Sequence, residues 1–484
     1  MSKTRGVVYV HTALCVLMLC TGCAPSLKQR PREANTQVPE SFNGSKDKEN
    51  SAQVKWNEFF VDPNLIMLID TALKNNQELN IATLEIGIAQ NEIMTREGEF
   101  LPRLDFKAGA GLEKVGKYTS QGVSDEAHDV PEHLQDYFVG FMASWEIDIW
   151  KKLRNATKAA TLRYLSSIEG RNFMITQLVA EIAHAYYELM ALDNQRDVLN
   201  QNIEIQQDAL KVMKLQKEAA KVTELAVQRF EAEVLKNQSR LYSIQQEIIE
   251  TENRINLLAG RFPQHIARDS DGFVDSRPTS VHDGVPSELL ENRPDVKQAE
   301  LELEAAKLDV EVAKARFYPS LEINAGVGYQ SYKITEFVAT PASILYNLAA
   351  DLVAPIFNRK AITAAYFSAN SKQMQAVYDY ERTILGAYTE ASNQLAMIEN
   401  LEKSYDLRSR EVDRLREAIM TSSGLFQSAR ADYMEVLMTR RDALESQMEL
   451  IETKKQQMIA MVNLYQALGG GWRAPKPDPE SAPE

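Results

Sequence analysis

The residues of this chain whose types and spacing could do chemistry are mostly carboxylates. Asp432 and Glu435 stand three apart in a helix-patterned stretch and so share a face. Gathered around an axis, such groups repel when ionised and draw in cations, which makes them candidates for a narrow gate in a pore. The plainer alternative is a solvated helix face. Glu146 and Asp148 alternate with apolar residues, and so does Asp351, which puts all three on the polar side of strands and makes them candidates for a wet lumen or its rim. His128 and His133 share a polar stretch with Asp129 and Glu132, a weak surface metal site at most. Met434, Met438, Met448 and Met458 are explained more simply by helix packing than by a metal relay, because Met fills gaps. No phosphate loop, zinc motif or nucleophile–base set appears, so neither an enzyme nor a cofactor is expected.

All three cysteines, Cys15, Cys20 and Cys23, lie near the start. Lys3 and Arg5 precede an apolar run from Val7 to Leu19, which closes at Cys20-Thr21-Gly22-Cys23-Ala24. A basic start, a short apolar core and small residues before a cysteine read as a leader and not as a spanning helix. The segment resembles a bacterial lipoprotein signal, which implies that residues 1–22 are removed and Cys23 is lipidated. Ala24 after that cysteine favours the outer membrane. The mature chain then has no free thiol and no disulfide. Of the 54 Lys and Arg, Lys3 and Arg5 leave with the leader, so 52 face 68 Asp and Glu and the mature charge is -16. No basic stripe is present to neutralise phosphates, which argues against nucleic acid. After the leader no apolar run is long enough for a transmembrane helix.

The elements that must position these residues occur twice. Asn75 to Gly111 is echoed by Asn292 to Gly328, 217 positions on; Ala82 answers Ala299, Phe100 answers Phe317 and Pro102 answers Pro319. Duplication makes a pseudo-symmetric object. In each copy an Ala-rich helix ends at a proline and gives way to strand alternation. Residues 103–115 read as a strand, 116–137 as an exposed polar loop and 138–150 as a second strand, with Val139, Phe141, Ala143, Trp145, Ile147 and Ile149 on one face. The second hairpin spans about 320–357, with Leu321, Ile323, Ala325, Val327 and Tyr329 on one face of one strand and Ile344, Tyr346, Leu348, Ala350 and Leu352 on one face of the other. After each hairpin comes a tract of more than 100 helix-patterned residues, Leu153 to Leu258 and Arg359 to Leu468, free of proline. Each must fold back on itself, as a coiled-coil pair of helices of about 50 residues, roughly 75 Å each.

Four strands cannot stand in a bilayer with bare edges, since each unsatisfied backbone group in hydrocarbon costs several kcal/mol. Two copies supply eight strands, whose interior side chains fill; three supply twelve, with room for a lumen. A trimer is the economical closure.

Short stretches then carry a family likeness: Val285-Pro286-Ser287-Glu288-Leu289-Leu290, Asn292-Arg293-Pro294-Asp295, Phe317-Tyr318-Pro319-Ser320, Pro355-Ile356-Phe357, Asp432-Tyr433-Met434-Glu435-Val436-Leu437 and Leu464 through Gly469-Gly470-Gly471-Trp472. In this order and spacing, over nearly the whole mature chain, the sequence resembles the outer-membrane efflux channel proteins, specifically their lipoprotein branch. The resemblance implies a mixed α/β membrane protein: a homotrimeric 12-stranded transmembrane β-barrel, four strands per chain, continuous with a long periplasmic α-helical coiled-coil tunnel. It implies three partners besides outer-membrane lipid: two further copies of the chain, a periplasmic adaptor protein, and through it an inner-membrane RND-type transporter. The chain would be a passive, lipid-anchored exit duct in the outer membrane of a Gram-negative cell, with a large periplasmic portion, exporting drugs, detergents or metal ions. A duct of a type I-like secretion system and a lipid-anchored periplasmic scaffold are the alternatives. Arg293, Pro294, Asp295, Pro319, Gly469, Gly470, Gly471 and Trp472 are signature positions with structural work; Pro294 and Asp295 suit a helix start.

The expected organisation is a leader (1–22), an extended tether (23–55), a first repeat (56–270), a second repeat (271–471) and a flexible tail (472–484). The helix pairs fall at 153–260 and 359–468. Two departures from the family pattern stand out: Ala429 occupies a common glycine position, with Phe426 where relatives have tyrosine, and Met438 replaces a second acidic residue beyond Glu435.

Overall fold

The computed structural model describes residues 24–27, 31–42, 50–276, 282–428 and 430–473. Cys23, the leader, Ala429 and residues 474–484 lie outside them. In chain order the elements are α1 (Trp56–Phe59), α2 (Pro63–Asn75), α3 (Gln77–Phe100), β1 (Arg103–Glu113), α4 (Ser120–Ala127), β2 (Leu134–Ile147), α5 (Lys152–Glu218), α6 (Glu224–Leu258), α7 (Leu289–Asn292), α8 (Pro294–Ala315), β3 (Ser320–Ser331), β4 (Ile344–Val353), α9 (Lys360–Gln427) and α10 (Tyr433–Ala467). Two compact units form, and they are not the two sequence repeats. One holds residues 86–166 and 299–379 with the N-terminal residues to 34; the other holds 35–85, 167–298 and 380–484. Each therefore draws on both repeats, because the repeats pair side by side.

The first unit contains one antiparallel sheet in the order β1-β2-β3-β4. Its register sorts the side chains cleanly. Phe106, Phe141, Val327 and Tyr346 form one cross-strand row, and Leu104, Ala143, Ala325 and Leu348 form the next. This apolar face is exposed in the single chain; Tyr346 is 81% exposed and Leu348 79%. The opposite face carries Arg103, Asp105, Lys107, Ser144, Glu146, Glu322, Asn324 and Asp351. Because the side-chain period is two, a slip of one residue anywhere would mix these faces.

The elements differ from the sequence-based expectations in several places. The first hairpin loop is not all irregular: α4 lies inside it, capped by Thr119, whose hydroxyl accepts from Gly122 N at 3.0 Å. β1 stops at Glu113, β2 runs from Leu134 to Ile147 and not 138–150, and β4 ends at Val353, short of 357. The hairpin loops explain a numerical shift. The loop between β1 and β2 exceeds that between β3 and β4 by eight residues, the length of α4. Accordingly the offset between repeats falls from 217 before the loops to 209 after them: Glu218 answers Gln427, and Gly260 answers Gly469.

The long tracts do fold back, but unequally, into 67 and 35 residues for α5 and α6, and 68 and 35 for α9 and α10. The shorter helices stop early because another helix takes over from them. Asn76 Nδ2 donates to Leu258 O at the end of α6 (3.0 Å), while its Oδ1 accepts from Leu79 N at the start of α3 (2.9 Å). One amide thus closes one helix and opens the next. Gly260 turns away there at φ +67°, where a side chain would strike Asn75 O.

Described residues of the expected tether and the first two of the expected tail make specific contacts. Asn35 N donates to Glu381 (2.8 Å), and Phe42, buried, stacks on Tyr388 at 5.5 Å. Asn50 already caps a short turn over Ser51–Gln53. Trp472 and Arg473 are held by Asn292, at 3.2 Å to its carbonyl and 2.8 Å to its side chain.

Candidate functional site

Three groups of predicted residues emerge. The first is on the polar face of the sheet. Glu146 stands opposite Glu322, and Glu322 opposite Asp351, so three carboxylates cross three adjacent strands in one row. Glu146 is tied to Lys152 Nζ at 2.5 Å, and Asp351 accepts from Asn324 Nδ2 at 3.2 Å. A cavity of about 770 Å³ opens beside the row, lined among others by Arg96, Glu99, Arg103, Lys152 and Glu322. Asp148 does not belong here. It lies beyond β2, buried, and its carboxylate accepts from Leu153 N (3.1 Å) and Arg154 N (3.0 Å). Its work is to cap the start of α5, which satisfies two orphan donors and suits the helix dipole; the expectation that it faces a lumen is corrected. Glu322 was missed, although strand alternation alone places it on the polar side.

The second group is where the helix pairs turn. Thr223 and Asp432, 209 apart, cap α6 and α10: Thr223 Oγ1 accepts from Ala226 N (3.3 Å) and Asp432 from Met434 N (3.4 Å). Glu435 lies in the first turn of α10, exposed, as is Asp432. Beneath them Tyr433 is buried with Met213, Val227, Phe230, Val234, Val436 and Leu437. Its ring lies 5.0 Å from Phe426 and 5.5 Å from Phe230, edge-on or tilted. All four long helices contribute to this cluster, so it sets where the exposed carboxylates stand. A groove of about 860 Å³ runs beside it, lined by Val222, Leu225, Arg229, Phe426, Asp432 and Met434 among others. Among the described residues the Tyr433 hydroxyl has no hydrogen-bond partner, and burial pushes its pKa up to about 12. Removing an unpaired buried hydroxyl costs no hydrogen bond. Tyr433→Phe should therefore leave denaturant stability unchanged or raise it by about 1 kcal/mol, as read from urea titration of the helical signal.

The third group joins the repeats. Arg293, 217 after Asn76, does the same work with a cation. Its Nη1 donates to Ala467 O at the end of α10 (2.9 Å), and its Nε and Nη2 grip Asp295 at 3.0 and 2.7 Å. Glu390 adds a contact at 2.8 Å. Burial opposes the charge, but the hydrogen bonds and negative charges of Asp295 and Glu390 together outweigh it and the pKa is raised. Pro294 begins α8. Gly469 (φ +94°) and Gly471 (φ +101°) turn the chain; Gly470 lies flat against the Tyr465 ring. Pro319 O accepts from Trp150 Nε1 at 2.8 Å, which ties the start of β3 to the end of β2.

The chain thus presents a sheet with one apolar and one charged face and a duplicated set of long helix pairs. The family model for outer membrane efflux proteins matches residues 68–261 and 285–470. The chain belongs to the outer membrane efflux protein family. Relatives include the probable outer membrane lipoprotein SilC of Salmonella typhimurium, 25% identical over 94% of this chain and 97% of that protein. The pyoverdine export outer membrane protein OpmQ of Pseudomonas aeruginosa is 26% identical over 95% and 96%. Among solved structures, a membrane protein from Pseudomonas aeruginosa matches with TM-score 0.83 and 25% identity, covering 93% of this chain and 97% of that one. The open-state MtrE outer membrane channel of Neisseria gonorrhoeae matches with TM-score 0.80 and 22% identity, covering 93% and 99%. This efflux-family chain has the mixed helix-and-strand fold of those channels, with four strands and long helices per chain, and theirs is not a catalytic fold. Its place is the outer membrane, largely on the periplasmic side, and its work is that of an exit duct. An adaptor and an inner-membrane transporter are the partners that membership implies.

Proposed function

We propose that three copies close a twelve-stranded barrel and serve as the outer-membrane exit of a tripartite RND-type pump for small molecules. The observation that carries this is the sheet: β1 and β4 are edges, and the apolar face between them is exposed along four strands in one register. Bare edges cannot stand in hydrocarbon. We place the lipid on Cys23. In support, Ala24 and Leu27 pack on Val310, Ala313, Phe317 and Tyr366, so the start of the described chain is held close to the beginning of β3.

In the trimer the row Glu146, Glu322 and Asp351 becomes a belt of carboxylates around the lumen, and it biases passage toward cations. Under a salt gradient across a planar bilayer the wild type should be cation-preferring. Glu322→Gln combined with Asp351→Asn should move the reversal potential toward zero; an unmoved potential would take the row out of the lumen.

The carboxylates at the helix turns would form a second, narrower ring. Glu435 is the gate candidate because it is exposed in the first turn of α10, between the buried cluster residues Tyr433 and Val436. Glu435→Ala should raise single-channel conductance severalfold, while equal conductance would reject Glu435 as the gate.

A further inference from the structure

We infer that the seam between copies follows a definite register, β4 of one chain pairing antiparallel with β1 of the next so that Asp351 faces Gly109 and Ala350 faces Ala110. This rests on the trimeric reading above and adds the residue pairs to it.

The template is inside the chain. β1 and β3 are equivalents 217 apart; with that offset the two hairpin registers make β2 and β4 equivalents 209 apart, since Asp105 pairs with Met142 and Glu322 with Asp351. The same 209 recurs independently at the helix ends. The β2–β3 pairing joins the first repeat to the second. The missing pairing, β4 to the next β1, joins the second repeat to the first, so pseudo-symmetry copies one onto the other. Met142 opposite Gly326 becomes Asp351 opposite the partner subunit's Gly109. Phe141 opposite Val327 becomes Ala350 opposite the partner subunit's Ala110, and Val139 opposite Tyr329 becomes Leu348 opposite the partner subunit's Leu112.

Three features agree with this register. The apolar faces meet: Leu352, Ala350 and Leu348 oppose Ala108, Ala110 and Leu112. The pairing ends at Val353 opposite Lys107, before Pro355, which has no N–H to donate. Asp351 lies diagonal to the partner subunit's Lys107, within reach of a long side chain, and among the described residues Lys107 has no ion-pair partner in its own chain. One place cannot be a faithful copy. Gly140 and Gly328 approach so closely that neither tolerates a side chain, whereas their seam equivalents are Ala349 and Gly111. The seam is wider there by about a methyl group.

Cysteine pairs test the register directly, since the described chain has no cysteine of its own. A Cβ at Gly109 meets nothing within 4 Å in the single chain, so that position accepts the change. Full-length chains carrying Gly109→Cys with Asp351→Cys, or Ala110→Cys with Ala350→Cys, are oxidised in outer membranes and run on non-reducing gels. Two pairs are used because opposite residues alternate between close and wide spacing. Lys107→Cys or Gly111→Cys, each with Asp351→Cys, represent slips of two residues. The inference expects covalent trimers from at least one of the first two pairs, about tenfold above either slipped pair. Trimers chiefly from a slipped pair would overturn the register and keep the trimer. Membrane-inserted chains that cross-link with no pair would overturn the trimeric closure itself.

Discussion

Gly140→Ala should remove most of the folded, membrane-inserted protein. The added Cβ would lie 2.5 Å from Val327 O and 2.8 Å from the Gly328 Cα, both backbone atoms that cannot swing aside. The clash falls on the pairing of β2 with β3, the join between the two repeats. Overpacking of this kind costs about 3 kcal/mol per copy, and three copies share one barrel, so the penalties accumulate in the assembly. Gly109→Ala is the control. It lies on the same face of the sheet, but its Cβ meets nothing within 4 Å in its own chain, and across the proposed seam it would border an Asp351 side chain that can move rather than a backbone that cannot. Heat-modifiable oligomer in membrane extracts should fall sharply for Gly140→Ala and stay near wild type for Gly109→Ala. Equal yields would mean that β2 and β3 do not approach as described.

Arg293→Ala should cost about 3–5 kcal/mol. The cost lies mainly in what is left behind. Asp295, 16% exposed at its side chain, would lose a two-pronged partner and remain as a partly buried charge, and Ala467 O would lose its donor. Glu390 matters less, since its side chain is 60% exposed and water screens the pair. Arg293→Lys should recover only part of the loss, because an ammonium cannot reproduce the fork. Denaturant unfolding followed by the helical signal measures both. A loss below about 1 kcal/mol for Arg293→Ala would show that the link from α10 to α8 is held by Gly469 and Trp472 instead.

Much of the fold was legible because it is written twice. The echo of Asn75–Gly111 in Asn292–Gly328 exposed the duplication, and strict alternation in Val139–Ile147 set the faces of the sheet that the register then keeps. What was not legible depends on partners distant in sequence. The eight residues of α4 carry no apolar stripe, and the helix is held by the Thr119 cap. The uneven helix pairs depend on Asn76 meeting Leu258, 182 residues away. Asp148 continues the alternation of β2, so its pattern pointed to a lumen, but the first donors of α5 claim its carboxylate. Asn76 itself had a signal, since it stands 217 before the signature Arg293 and does the same work with an uncharged side chain.

At the helix turns the chain departs from the family pattern in ways the packing accommodates. Phe426 lies edge-on to Tyr433, a contact that needs no hydroxyl, so a tyrosine there is dispensable. Met438 is 49% exposed, so the exposed carboxylates at this turn are Asp432 and Glu435, with a thioether in place of a second acidic residue beyond them.

Everything proposed for this duct depends on the closure of its sheet, and the mass of the detergent-extracted chain tests closure most directly. Native mass spectrometry of the mature protein should give three copies, each carrying acyl chains on Cys23 and none at an unprocessed leader. A folded single chain, or a pair whose eight strands would leave no lumen, would contradict the account.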